Sequence, residues 1–408
     1  MVNPQLRFSE FTEEYAPDTL MDITDRVRRK NINNQTDIPL TIASIEGLVD
    51  QRTYFGKTIA SKDMSGYYLL KNGEFAYNKS YSKGYPVGSI KRLDNYEQGA
   101  LSTLYICFSL KEDAAIDSDY LVQYFNSSAW HRAVSEVCAE GARNHGLLNV
   151  SPDDFFATVH YFAPTKEEQT KISEFLSLYD QKISTQIKKV EALEKRRKGL
   201  LQQIFSQKIR FYSDDGNEFD DWEETLLSDV LKERKDKSTG DEEVYSVSVS
   251  KGLVNQVEHL GRSYAAEDTS KYKVVCPGDV VYTKSPTGEF KWGIVKQSMI
   301  DKKVIVSPLY GIFTPRSEAF GFIIDAYFSS NVRAHNYLIT QVRKGAKNTI
   351  NVSNDEFLDN YIMLPTSENE AKKIKEFITL LDQQIQEEKS KLEAIKNLKK
   401  GLLQQMFV

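Results

Sequence analysis

Residues arranged for catalysis are few, and each arrangement is incomplete. Gly56-Lys57-Thr58 has the ending of a phosphate-binding loop, but Gln51 occupies the position of its first glycine. Gly141 and Gly146 have the glycine spacing of that loop, but Leu147 follows where the loop requires lysine. No two of the five histidines are four residues apart, and no Gly-x-Ser-x-Gly nucleophile segment occurs. We therefore expect a chain that is not an enzyme and that holds no metal ion or cofactor of its own.

Several residues that could contact DNA recur at matched positions in the two halves of the chain. They are Lys79, Ser80, Lys91, Arg143 and Asn144 in the first half, and Lys284, Ser285, Lys296, Lys347 and Asn348 in the second. Such side chains bind phosphate, and work common to both halves explains why they recur. For the basic residues, phosphate contact and an ordinary solvated charge are equally open interpretations. Tyr77 and Tyr282 also match, and burial in the core is the favoured interpretation for both.

Two dissimilar loops follow the matched Lys-Ser pairs. Residues 81–86 read Tyr-Ser-Lys-Gly-Tyr-Pro, whereas residues 286–291 read Pro-Thr-Gly-Glu-Phe-Lys. Lysine pairs with guanine and glutamate with cytosine in the major groove, so loops that differ can read different bases. The predicted base readers are Lys83, Tyr85, Thr287, Glu289 and Lys291. The alternative is an ordinary variable surface loop. If the loops do read bases, the target is asymmetric.

An internal repeat positions these residues. The segment 171–175, Lys-Ile-Ser-Glu-Phe, recurs 202 residues later as Lys-Ile-Lys-Glu-Phe. Segment 198–205, Lys-Gly-Leu-Leu-Gln-Gln-Ile-Phe, recurs at the same distance with a single change, to methionine. Around both segments, apolar residues keep a seven-residue frame that is typical of coiled coils. The frame predicts two helices of roughly 55 Å each that form an antiparallel coiled coil, which would relate the globules by a pseudo-two-fold axis. Parallel packing is the alternative, and it would place both globules at one end.

The regions between the helices predict mixed α+β globules. Short segments rich in β-branched and aromatic residues alternate with turns, and helical stretches are expected at about 117–138 and 321–342. The expected domains are a first globule at 1–163, a long helix at 164–208, a second globule at 209–364 and a second long helix at 365–408. The alternative for the helices is that each packs on its own globule.

Composition favours a protein of the cytoplasm. Cys107, Cys138 and Cys276 lack zinc or redox spacing, which indicates a reducing compartment. No run of eighteen apolar residues and no apolar signal segment occur, so no contact with a membrane is expected. The net charge of −5 is unusual for a DNA-binding protein, so DNA binding would require a local basic patch.

In combination, these features resemble the specificity (S) subunit of Type I restriction–modification systems over essentially the whole chain. The resemblance is carried by the Lys-Gly-Leu-Leu-Gln-Gln helix ends at 198–203 and 400–405, the Pro-Thr pairs at 164 and 365, and Trp222-Glu223 at the start of the second half. It implies two target-recognition domains that read a bipartite site in double-stranded DNA. It also implies complexes with two methyltransferase (M) subunits and with restriction/translocase (R) subunits. S-adenosylmethionine, ATP and Mg would then be held by those partners.

The helix surfaces are the expected docking sites for the M subunits. Basic residues that could pair with them are Lys189, Lys195, Arg196, Lys198, Lys391, Lys396 and Lys400, although a solvated face is the simpler interpretation for each. Two other functions stay open. The chain could be a tandem-repeat coiled-coil adaptor that does not bind DNA, or a self-contained DNA enzyme, which the missing motifs disfavour.

Overall fold

The computed structural model of the chain describes residues 3–43, 47–57, 59–81, 84–138, 148–260, 268–341, 343–344 and 350–408. The chain forms two compact units. Unit 1 comprises Met1–Lys188 and Lys389–Val408, and unit 2 comprises Lys189–Glu388. Each unit therefore contains one globule together with parts of both long helices. Within the described ranges, no helix has the length and apolar character needed to cross a membrane.

The first globule alternates short strands with short helices. Its strands are β1 (Ala16–Thr19), β2 (Thr24–Arg26), β3 (Leu40–Ala43), β4 (Gly47–Asp50), β5 (Tyr68–Lys71), β6 (Phe75–Asn78), β7 (Ser89–Arg92), β8 (Gln98–Leu101), β9 (Ile106–Leu110) and β10 (Val159–Phe162). Its helices are α1 (Leu20–Ile23), α2 (Gln51–Phe55), α3 (Ser118–Asn126), α4 (His131–Val137) and α5 (Pro152–Phe156), with a 3₁₀ turn at Ile32–Asn34. The long helix α6 (Lys166–Phe205) follows.

The second globule repeats this order. Its strands are β11 (Glu223–Leu226), β12 (Leu231–Glu233), β13 (Tyr245–Ser248), β14 (Gly252–Asn255), β15 (Lys273–Val275), β16 (Val280–Tyr282), β17 (Val295–Gln297), β18 (Val304–Val306), β19 (Gly311–Pro315), β20 (Arg343–Lys344), β21 (Ile350–Asn351) and β22 (Tyr361–Leu364). Its helices are α7 (Leu227–Val230), α8 (Gln256–Leu260), α9 (Glu318–Phe328), α10 (Asn331–Leu338) and α11 (Asn354–Leu358). The second long helix is α12 (Glu368–Met406).

A four-stranded antiparallel sheet forms the centre of each globule, and its strand order repeats. The order is β2-β9-β6-β7 in the first globule and β12-β19-β16-β17 in the second. The register repeats too, since Tyr77 pairs with Ile90 as Tyr282 pairs with Val295. Three two-stranded sheets also recur: β1-β10 with β11-β22, β3-β4 with β13-β14, and β5-β8 with β15-β18. The predicted α+β class and the internal repeat are confirmed.

The central strands β6 and β16 are buried on both faces. In β6, Phe75 and Tyr77 belong to one apolar core and Ala76 to another, because successive side chains of a strand point to opposite faces. Tyr77 is fully buried and its hydroxyl donates to the Val87 carbonyl at 2.8 Å. Tyr282 in β16 is also fully buried and makes the matching bond to the Trp292 carbonyl at 2.7 Å, which confirms the core assignment of both tyrosines.

A glycine closes each candidate reading loop. Gly88 has φ +82°, and a Cβ placed there would lie 2.1 Å from the Asn78 carbonyl oxygen at the end of β6. Gly293 has φ +90°, and its Cβ would lie 2.9 Å from the Lys284 amide nitrogen. Only glycine allows a left-handed backbone with so close an approach, so each loop requires glycine at the position where the chain returns to the strand that precedes the loop.

Each of the two predicted helical stretches is a pair of helices. The first is interrupted at Ser127, whose hydroxyl donates to the Tyr124 carbonyl at 2.6 Å and thereby satisfies the end of α3. The second is interrupted at Ser329, which bonds to the Ala326 carbonyl at 2.6 Å after α9. A serine side chain that competes for backbone carbonyls ends a helix, and this was not anticipated from apolar periodicity.

Within unit 1, the segments of α6 and α12 run antiparallel. Ile172 near the start of α6 shares an apolar core with Met406 at the end of α12. Further along α6, Asp180 pairs with Lys399, with 2.5 Å between Oδ1 and Nζ. Residue numbers rise along one helix as they fall along the other, so the predicted antiparallel packing is confirmed in this unit.

Unit 2 contains the same arrangement with the roles of the helices exchanged. Ile204 at the end of α6 shares a core with Ile374 near the start of α12. Arg197 donates from Nη2 to Asp382 Oδ2 at 2.9 Å, and this pair matches the ion pair of unit 1 through the 202-residue repeat. Further along the two helices, Glu388 of α12 is buried and pairs with Lys189 of α6 at 3.0 Å.

The repeat also includes residues near the N-terminus, beyond the segments that recur clearly in the sequence. Leu6 donates its amide to the Gln405 carbonyl at the end of α12 at 2.9 Å. Ile209 makes the equivalent bond to the Gln203 carbonyl at the end of α6 at 3.4 Å. The residue pair Arg-Phe follows both Leu6 and Ile209, and each phenylalanine packs its ring against a phenylalanine of a long helix. The signal is short and lies among polar residues, which is why spacing alone does not isolate it.

Candidate nucleic-acid interface

The loop that follows β16 in the second globule is a tight hairpin. Thr287 and Phe290 exchange two backbone hydrogen bonds of 3.0 Å, with Gly288 at φ +55° in the turn between them. Glu289 is exposed at the tip, and its Oε2 accepts a bond from Asn331 Nδ2 at 3.1 Å. The loop is therefore anchored to the first residue of α10, and three predicted readers, Thr287, Glu289 and Lys291, lie on one short hairpin.

Trp292 connects the end of this loop to the same helix. Its Nε1 donates to His335 Nδ1 at 2.8 Å, and the two rings are nearly parallel with centroids 6.0 Å apart. His335 is half-buried. Neither residue was predicted from the sequence, because they are 43 positions apart and neither residue type recurs at the matching position of the other half.

The equivalent region of the first globule is only partly described. Lys79 is half-buried and its Nζ donates to the Val150 carbonyl at 3.3 Å, while Ser80 is exposed. The Leu148 amide donates to the Lys79 carbonyl at 2.9 Å, so the chain after α4 returns beside the start of the loop. Tyr85 is half-buried. Other predicted contacts lie outside the described residues; these are Lys83, Arg143, Asn144, Lys347 and Asn348.

Two matched lysines point into the fold. Lys91 on β7 donates to Asn126 Oδ1 on α3 at 2.7 Å, and Lys296 on β17 pairs with Asp325 Oδ1 on α9 at 2.9 Å. Burial, together with the nearby Lys399 ammonium, lowers the pKa of Lys91 to about 8. These contacts favour a structural role, the pinning of a helix to a sheet, over the phosphate contact that the sequence left open.

Lys284 and Ser285 begin the second loop. Lys284 has φ +55°, an uncommon left-handed conformation for a residue with a side chain. Burial and then the nearby Lys273 lower the pKa of Lys284, although its ammonium also has acidic neighbours. Ser285 is exposed. Lys284 is thus half-buried at the base of the loop, whereas Ser285, Glu289 and Lys291 are exposed.

Helix α10 adjoins the second loop, and its exposed positions differ from those of α4 in the first globule. The first four residues of the two helices match in burial, with Val134 and Ala334 buried at the same point. At the exposed positions, α4 carries Arg132 and Glu136, which pair with each other at 2.9 Å. The corresponding positions of α10 carry Val332 and Asn336. The loops show the same pattern, a framework shared by the two globules with different exposed side chains.

The basic residues predicted on the long helices have several environments. Lys189 pairs with Glu388 at 3.0 Å, and Lys396 pairs with Glu393 at 2.8 Å. The others are exposed: Lys195, Arg196, Lys198, Lys391 and Lys400. Two apolar residues that were not predicted as surface sites, Leu178 and Leu380, are exposed at positions 202 residues apart. Their signal was an apolar residue that falls outside the seven-residue frame in both helices.

No arrangement suited to a metal ion is found within the described ranges, where no three His, Cys, Asp or Glu side chains cluster. What the loops present instead is hydrogen-bonding and charged groups on short, anchored turns. Phosphate and base edges are recognised by groups of this kind.

Comparisons with known proteins show similarity at the level of structure. No family model matches the sequence, and no curated protein matches it. The S subunit of a Type I restriction–modification system from M. genitalium superposes with a TM-score of 0.54 at 11% identity, over 100% of this chain and 99% of that chain. A chain from a structure that describes complex assembly and conformational transition of the type I R-M system gives 0.55 at 13% identity, over 97% of both chains. The chain therefore has the fold of the Type I specificity subunits, and the resemblance found in its sequence is confirmed in its structure.

Proposed function

We propose that this chain is the DNA-specificity subunit of a Type I restriction–modification complex. The observation that carries the proposal is the fold likeness over the full chain, combined with a repeat whose framework is kept while its exposed loops differ. Each globule reads one half of a bipartite, asymmetric site. The long helices set the distance between the half-sites.

Divergence between the globules supports base reading. The buried tyrosines and the loop-closing glycines are the same in both, so both loops are held by the same frame. The exposed groups differ, with Glu289 and Lys291 on the second loop where the first has no acidic residue. Residues that stabilise the fold are expected to be the same in both globules, whereas residues that read different bases are expected to differ.

Matched surfaces on the long helices support the docking of two copies of one partner. Leu178 on α6 and Leu380 on α12 are exposed, so each long helix offers an apolar side chain to a partner at the same position of the repeat. Because the repeat relates the two positions, one partner species can bind both. We propose that these partners are the methyltransferase subunits. They, and the restriction subunits, supply the catalysis with S-adenosylmethionine, ATP and Mg.

The test is methylation of a random duplex library by the chain co-expressed with its neighbouring methyltransferase subunit, read base by base. Methyl-adenine in one bipartite, asymmetric motif is the expected result. The variant Glu289→Ala should alter only one half of that motif. The variant Tyr85→Ala, at a predicted reader of the first loop, should alter only the other half. A stable complex that leaves DNA unmethylated would favour the adaptor function. Methylation by the isolated chain would overturn the assignment of catalysis to partners.

A further inference from the structure

Trp292 sets the hydrogen-bonding character of His335. An indole N–H only donates, so Nδ1 of His335 must accept the 2.8 Å bond from Trp292. In the neutral imidazole the proton then lies on Nε2. His335 therefore presents a hydrogen-bond donor at Nε2.

That donor is unused within the part of the chain that the structure describes. Among these residues, the His335 ring makes one hydrogen bond, and it is the bond that Nδ1 accepts from Trp292. His335 is half-buried, and Nε2 is not a buried atom without a partner in that part of the chain. Solvent therefore reaches Nε2. A donor of fixed polarity, held by a stacked ring and open to solvent, is prepared for an external acceptor.

The neighbours of His335 form one continuous surface with the candidate loop. Asn331, one turn earlier on α10, bonds to Glu289 at the loop tip. Val332 and Asn336 on the same helix are exposed. The surface thus combines an acceptor at Glu289, a donor at His335 and an apolar group at Val332. The major-groove edge of a base pair presents the complementary set of donors, acceptors and a thymine methyl group.

The first globule has different chemistry at the matched positions. Counted from the first residues of the two helices, His131 of α4 and Asn331 of α10, Ser135 occupies the position of His335. The indole is missing as well, since Val87 occupies the position of Trp292 in the 205-residue repeat. The donor and the group that orients it therefore occur together in one globule only. Residues that grip phosphate in both globules would not differ in this way.

We infer that His335 is a base-contacting residue of the second globule, and that Trp292 is a positioning residue that keeps Nε2 as a donor. The inference rests on the proposed function and deepens it. The acceptor is a purine N7 or the keto oxygen of guanine or thymine, at one position of the half-site that the second globule reads.

The experiment uses the full chain co-expressed with its methyltransferase subunit, and compares His335→Ala with Ser135→Ala as the matched control. His335→Ala should lower the preference at one position of one half-site by about 3- to 10-fold, the contribution of one hydrogen bond, and leave the other half unchanged. Ser135→Ala should leave that position unaffected. An unchanged motif in His335→Ala, or an equal loss of methylation at all sequences, overturns the inference.

Trp292→Phe separates positioning from a structural role. Phenylalanine keeps a ring against His335 but removes the N–H, so the imidazole can place its proton on Nδ1 and accept at Nε2. The same position should then tolerate bases that present an amino group, adenine or cytosine. A uniform fall in methylation would show that Trp292 only supports the fold. If the unmodified chain produces no bipartite motif, the proposed function itself fails; a normal motif that the three variants leave unchanged refutes the inference alone.

Discussion

Replacing Asp180 with asparagine should destabilise the protein more than the matched replacement of Asp382. In unit 1, Asp180 Oδ1 contacts Lys399 Nζ at 2.5 Å, and its Oδ2 accepts from Gln123 at 2.9 Å. Asp180 is also the carboxylate that counteracts the lowered pKa of the nearby Lys91. The substitution therefore leaves two lysines close together without a negative charge between them.

The expected magnitude follows from the exposure of the two pairs. The Lys399 side chain is only 8% exposed, whereas Asp180 is 48% exposed. An unpaired buried charge costs about 3–5 kcal/mol, and water at the exposed carboxylate side reduces this to about 2 kcal/mol. In unit 2 the corresponding Arg197 and Asp382 are 27% and 41% exposed. A pair exposed to that degree contributes about 0–1 kcal/mol.

Urea unfolding followed by circular dichroism measures both variants. Asp180→Asn should lower the midpoint clearly, and Asp382→Asn should lower it by a much smaller amount. The double variant Asp180→Asn/Lys399→Met should recover most of the loss, because methionine fills the space of the lysine without a charge. Equal losses in the two single variants, or no recovery in the double variant, would refute the argument from burial.

Three further predictions concern buried groups and loop closure. Burial lowers the pKa of Lys91 to about 8, so the folded state binds fewer protons than the unfolded state from pH 8 to about 10.5. The stability of the unmodified protein relative to Lys91→Met should therefore rise as the pH increases from 8 to 10, by up to about 1.4 kcal/mol per pH unit, as measured by urea midpoints; a flat difference would contradict this. Burial also lowers the pKa of His160 to about 4, so the folded state binds fewer protons than the unfolded state between pH 4 and 6.5. The stability of the unmodified protein relative to His160→Gln should therefore fall as the pH drops from 6.5 to 4. Thermal melts of both proteins at pH 7 and 4.5 check the direction of this change. Gly88→Ala should destabilise the protein clearly more than Gly73→Ala, because both glycines have φ +82° but only a Cβ at position 88 would meet the backbone. The loss of stability in Gly73→Ala should be about 1 kcal/mol, the cost of the left-handed conformation alone. Equal melting temperatures of the two variants would disprove the close approach at Gly88.

Much of the fold was predictable because its strongest signals are local. The long helices predicted to begin at residues 164 and 365 begin at Lys166 and Glu368. A seven-residue apolar frame and a duplicated segment need no knowledge of distant contacts. The same periodicity missed the interruption at Ser127, because that break depends on a side chain that bonds to its own helix.

The candidate interface was less predictable because its contacts join distant parts of the chain. For Lys91 the sequence left phosphate contact and a solvated charge equally open, because its hydrogen-bond partner Asn126 is 35 residues away. Trp292 and His335 were not selected at all, since each is unremarkable until the hydrogen bond between them is seen. A charge in a sequence says nothing of whether the folded chain leaves it free.

By itself, the sequence determined that the protein has two related α+β globules and two long helices, and that it lacks the common catalytic motifs. Repetition and apolar spacing are recorded directly in the order of residues, so they need no coordinates. The tertiary structure alone decided the strand order of the sheets and settled the direction of the helix segments within each unit as antiparallel. It also decided which polar groups form hydrogen bonds and ion pairs within the protein. Those properties depend on burial and on pairing between residues far apart in the chain, because the energy of a charge or a hydrogen bond is set by its surroundings.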